Sequence, residues 1–179
     1  MKNVEAFLRD WVNADRLELL ADFLRPRDPE FAALEAACHA DGGALDALRR
    51  KQINAGLMFA FWQGMRLNLE NFYAPIGTAA LTMDLSQLVR EHILFNMPAY
   101  KAAQQELSLL KHDLSVEALA SVDDYYAYLE TVGLKVAHYL GFRQGDFLYP
   151  MTEPGYVPDG AATQTYRMEL EQYLGISLS

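Results

Sequence analysis

Along most of this chain large apolar residues recur every three or four positions, the spacing that aligns side chains on one face of an α-helix. Val4, Phe7, Leu8, Trp11, Val12, Leu19, Leu20 and Phe23 trace the first stripe, with Asp10, Asp15, Arg16 and Asp22 between them and Pro26 closing it. Asp28-Pro29-Glu30 opens a second helix with a capping acid, a proline suited to the first turn and an acid at the positive end of the dipole. That helix runs to about Ala40, where Gly42-Gly43 supplies a stop.

Residues 44–73 read differently, as one long helix that is apolar on nearly every side, with the aromatic stretch 53–65 in its middle. A helix of this kind needs others around it, so the chain is expected to be an all-α helical bundle wrapped around this element. Gly56 and Gly64 mark two positions where neighbouring helices can approach closely.

Ala74-Pro75-Ile76-Gly77 breaks the chain, and Asp84-Leu85-Ser86-Gln87 resembles a capping box for a helix through Leu88, Val89, His92 and Ile93. Asn96-Met97-Pro98 is expected to interrupt it. A further helix follows to His112, then a short one after Ser115. Ser121-Val122-Asp123-Asp124 caps a long helix carrying Tyr125, Tyr128, Leu129, Val132, Val136, Tyr139 and Leu140, which Gly141 is placed to end. Residues 142–160 form the longest irregular stretch, punctuated by glycines and prolines. A last helix spans 161–174, stopped by Gly175. The expectation is six to eight helices in a single domain, residues 1–179.

Composition narrows the functional classes. The 179 residues are 51% hydrophobic and 22% charged, enough to bury a core without disulfides or a structural metal. Acids outnumber bases 24 to 15, for a net charge of -9, which disfavours phosphate backbones and argues against nucleic acid as a partner. The same charge favours faster association with a basic protein. The apolar stretch 53–65 is too short to span a bilayer and contains Asn54 and Gln63, so no membrane span is expected. The single cysteine, Cys38, and an N-terminus that mixes charge with apolar residues suit a cytoplasmic protein.

Candidate chemistry is sparse. The four histidines, His39, His92, His112 and His138, lack the Glu-x-x-His spacing of a di-iron bundle, and Glu35 with Cys38 and His39 offers at most part of a metal site. No metal and no cofactor is expected. His138 reads as a hydrogen-bonded histidine at the edge of the core with tyrosine neighbours. No nucleophile-elbow, Walker or dinucleotide glycine pattern occurs, and no catalytic residue is assigned. Arg49-Arg50-Lys51, the basic run, is read as a solvated helix start.

What remains is a candidate recognition surface. Asp123, Asp124 and Tyr126 combine acids with a tyrosine that the core stripe does not use, and Asp146, Tyr149, Glu153 and Tyr156 lie on the expected 142–160 loop, with Met151 beside them. Helices around an aromatic central helix are similar to helical assembly chaperones for redox enzymes and to acidic helical immunity proteins. Glu153-Pro154 is followed here by Gly155-Tyr156, a departure from the chaperones' Glu-Pro-Asp-His type signature, and no family residue is carried over.

The function expected is therefore non-enzymatic binding of a protein partner, a basic one by charge, through an acidic, tyrosine-rich surface. The alternative is a small-molecule-binding or enzymatic domain with a pocket formed by Phe59, Phe61, Trp62, Met65 and the 143–159 segment. It turns on whether Arg66, Glu70, His92 and His138 converge on one concavity. Self-association through an apolar face is compatible with either.

Overall fold

The structure, a computed structural model, describes residues 12, 14–38, 44–73, 79–110, 116–152 and 160–179. These fold into seven helices, and no strand occurs among them, in keeping with the all-α expectation. They are α1 (Arg16–Leu24), α2 (Pro29–Ala37), α3 (Ala44–Asn68), α4 (Ala79–Leu110), α5 (Val116–Tyr128), α6 (Leu134–Thr152) and α7 (Ala161–Leu174). A π turn, Leu69–Tyr73, extends α3, and another, Leu129–Gly133, joins α5 to α6.

Local signals account for several boundaries. Asp15 caps α1 by accepting from the Glu18 N–H at 3.1 Å, and Asp28 caps α2 by accepting from Glu30 and Phe31 at 3.1 and 3.2 Å. Gly175 takes the left-handed conformation with φ 71° and ends α7, its N–H donating to the Glu171 carbonyl at 2.8 Å. The stripe residues before Val12 and the Gly42-Gly43 stop lie outside the described residues.

Two apolar clusters share α3. Ile53 and Leu57 join α1, α2, α5, α6 and α7 around Leu24, Phe31 and Leu129. Met58, Trp62, Met65 and Leu69 form the second, with Leu85 and Val89 of α4 and Leu148 of α6. Yet α3 is not covered all round: Phe59 is 41% and Leu67 38% exposed.

The closest pairing is α3 against α6. A β-carbon at Gly64 would overlap the His138 carbonyl, and one at Gly141 the Phe61 carbonyl; one at Gly145 would stand 2.9 Å from the Asn68 side chain. Residues 61, 64 and 68 thus face 138, 141 and 145, matching i, i+3, i+7 spacings in which glycine lets two backbones touch.

Three expectations are corrected by this packing. Gly141 does not end a helix, and residues 142–152 are not loop: α6 runs through Gly145 and Pro150 to Thr152, because both glycines face α3 while Phe142 and Leu148 continue the buried stripe. Asn96-Met97-Pro98 does not break α4. Proline frees only the Leu94 carbonyl there, and Leu94 and Pro98 are both exposed, so the break in the hydrogen-bond ladder lies on a side of α4 open to solvent. Ser121 to Asp124 lie within α5 rather than capping it, since the helix starts at Val116 and continues through the π turn, where the Leu134 N–H donates to the Leu129 carbonyl.

Candidate functional site

The residues expected to form a recognition surface divide between structural roles. Tyr126 is only 1% exposed, which corrects its expected place on the surface. Its hydroxyl donates to the Asp46 carboxylate at the start of α3, and burial followed by that bond pushes its pKa well above the ordinary tyrosine value. Asp123 is paired with Arg49 at 2.5 Å, whereas Asp124 is exposed.

Asp146 sits near the other end of α3. One carboxylate oxygen accepts from Asn68 Nδ2 at 3.0 Å and the other from Thr163 Oγ1 at 2.5 Å, so the side chain ties α3, α6 and α7 together. Asp46 and Asn68 are separated by roughly 33 Å at 1.5 Å per residue. The acid and tyrosine positions therefore do not make one patch. Tyr149 belongs to α6 rather than a loop, and Glu153 and Tyr156 lie outside the described residues.

Arg66 and His138, both weighed for an alternative pocket, find separate partners. Arg66 pairs with Glu70 at 2.6 Å, and His138 Nδ1 is 2.8 Å from the Tyr166 hydroxyl on α7. Burial lowers the pKa of His138 and of His92 and raises that of Tyr166. Glu35 is held by a two-pronged contact from Arg25, 2.8 Å on each side, and His39 lies outside the described residues. Among the described residues no group of three or more His, Cys, Asp or Glu side chains is arranged to hold a metal. No described helix is long and apolar enough to cross a membrane.

The packing of α3 against α4 creates a different feature, an open groove of about 410 Å³. One wall is Phe59, Trp62, Gln63 and Arg66 of α3; the other is Ser86, Val89, Arg90 and Leu94 of α4. Each set has helical spacing, so each helix turns one stripe toward the groove. Trp62 and Val89 are buried at its base, whereas Phe59 and, at 63% exposure, Leu94 stand open to solvent.

The Phe59 and Trp62 rings lie 5.3 Å apart between centroids, and the Arg66 guanidinium sits 5.5 Å from the Trp62 ring centroid, within cation–π range. The Trp62 indole N–H is buried with no acceptor among the described residues. The groove thus joins apolar area to donors, with no carboxylate among the described residues of its lining.

Sequence reasoning had placed Phe59 and Trp62 in a pocket but missed the α4 wall. Phe61 and Met65 turn elsewhere: Phe61 packs under the Arg16 guanidinium at 4.8 Å, and Met65 is buried in the second cluster. The signal for α4 was present in Ser86, Val89, Arg90 and Leu94, an apolar and cationic stripe whose exposed end no core position required. No family model matches the chain, and comparisons with curated proteins and with solved structures find no match either.

Proposed function

We propose that this chain is a non-enzymatic protein-binding module that works through the α3–α4 groove rather than through the acidic, tyrosine-rich positions. The observation that carries this reading is the groove's construction: a buried Trp62 at the base and exposed Phe59 and Leu94 at the rims. Large apolar side chains displayed together on two helices are the usual mark of an interaction surface.

A second reading, binding of a small molecule, draws on the volume of about 410 Å³, which lies within the range of ligand pockets. The exposed rims favour a longer partner, because a small ligand would leave Phe59 and Leu94 partly wet.

A photo-crosslinking residue in place of Gln63, exposed on the α3 wall of the groove, tests the proposal when the full chain is exposed to native extract. A single stoichiometric crosslinked protein, lost on Leu94→Asp and kept on Leu19→Asp at the exposed face of α1, is the expected result. Equal loss in both variants with folding intact by circular dichroism, or no crosslinked protein, would overturn it.

A further inference from the structure

We infer that the segment seated in the α3–α4 groove is an acidic amphipathic helix, presenting about two turns of apolar side chains between carboxylates. The inference rests on the protein-binding reading of the groove and adds the chemistry of the partner.

Charge is the first argument. Acids outnumber bases 24 to 15 in the chain, yet among the described residues the groove lining holds two arginines and no carboxylate. Arg90 is exposed and makes no ion pair among the described residues. Arg66 is engaged with Glu70, but that pair is an exposed i, i+4 contact on one helix, of the kind that a competing carboxylate readily exchanges. Gln63 and Ser86 add further donors between the two cations.

Shape is the second. From Phe59 to Arg66 and from Ser86 to Leu94 each wall extends roughly 10–12 Å, the rise of two helical turns. A third helix laid against two others buries an i, i+3/i+4, i+7 set in such a trough, with its flanking positions over the rims. The flanking positions are where Arg66 and Arg90 would meet Glu or Asp.

The overall charge makes this inference sharply testable. A chain with a net charge of -9 attracts basic peptides nonspecifically and repels acidic ones, so a preference for an acidic peptide has to come from the groove itself.

Three fluorescein-labelled 18-residue helical peptides serve as probes: a Leu stripe flanked by Glu, the same stripe flanked by Lys, and the Glu peptide with its Leu stripe replaced by Ser. Anisotropy titrations with the full chain should show the Leu/Glu peptide binding at least tenfold more tightly than either other peptide, and weakening as salt rises. Arg90→Glu should reverse the order of the Glu and Lys peptides while leaving the circular dichroism spectrum unchanged. Phe59→Ser with Leu94→Ser should weaken both.

Equal binding of the Glu and Lys peptides, an unchanged preference in Arg90→Glu, or no binding of any peptide at millimolar concentration would overturn the inference. If the Leu94-sensitive crosslinked protein is still found in any of those cases, the groove remains the binding surface and only the acidic helix is excluded. If it too is missing, both readings fall.

Discussion

Gly141 rests directly on the backbone of Phe61: a β-carbon at residue 141 would overlap the Phe61 carbonyl oxygen and stand 2.9 Å from the Phe61 Cα. Gly64 has the reciprocal relation to His138, so α3 and α6 are held as close as two backbones allow. A methyl group at either position can be accommodated only by separating the helices and opening both apolar clusters. Gly141→Ala and Gly64→Ala should each cost about 3 kcal/mol or more, the upper end of overpacking effects. Gly56 is the control, since a β-carbon there meets only Leu134 Cδ2 at an ordinary 3.6 Å. Gly56→Ala should be neutral or stabilise by up to about 1 kcal/mol through helix propensity. Urea denaturation of the three variants checks the contrast.

Asn54 supplies a cap at long range. Its side-chain oxygen accepts from the Arg16 and Leu17 N–H groups at 2.6 and 3.2 Å, satisfying two of the free donors at the start of α1 from the middle of α3. Asn54→Ala should cost about 1–2 kcal/mol. Asn54→Asp retains the acceptors and places a negative charge at the α1 N-terminus, so it should lose less. Thermal unfolding of both variants at neutral pH gives the comparison.

His138 makes stability fall on mild acidification. Burial holds its pKa below the ordinary 6.5, so the unfolded chain takes up a proton before the folded one. This contribution is complete above 6.5, begins to be lost as pH falls through 6.5, and stops changing once the pH is below the folded value. His92 acts in the same direction through the same cause. His138→Gln should flatten the dependence of unfolding free energy on pH below 7, and combining it with His92→Gln should flatten it further. Urea titrations at half-unit pH steps read the slope, and an unchanged slope in the double variant would exclude this account.

Trp62 separates core from surface within the groove. Trp62→Ala should cost about 3–5 kcal/mol through the cavity it leaves in the second cluster. Trp62→Phe removes an indole N–H that has no acceptor among the described residues and keeps most of the apolar area, so its cost should stay below about 1.5 kcal/mol. Denaturation curves for the two variants test this, and the phenylalanine form then allows binding to be measured in a folded chain.

The all-α class, the start of α2 and the span of α7 were legible because they depend on neighbours in sequence, Asp28 before Pro29 or Gly175 after a polar turn, whereas the capping break at Asp15 inside the first stripe was not. The glycines of α6 were not. Gly141 and Gly145 have the residue type of a stop but serve contact with Phe61 and Asn68, positions remote in sequence. Pro98 misled similarly, since the exposure of its side of α4 is a tertiary property. Tyr126 was assigned to the surface because the residues around it filled the helical stripe, whereas its hydroxyl reaches Asp46 and makes its burial affordable. The groove was half visible, as Phe59 and Trp62, because the second wall depends on how α4 lies against α3.

The π turn at Leu129–Gly133 acts as a phase shifter in the long helical run from Val116 to Thr152. Its hydrogen bond spans one residue more than an α-turn, so α6 leaves the turn rotated relative to a straight continuation of α5. Closing this turn as α-helix with every residue retained would swing the Gly141 and Gly145 edge about 100° away from α3, whereas deleting one residue there would let the run close as α-helix with that edge still facing α3. A single-residue deletion, ordinarily ruinous inside a packed helix, would then be tolerated best where this run is least regular.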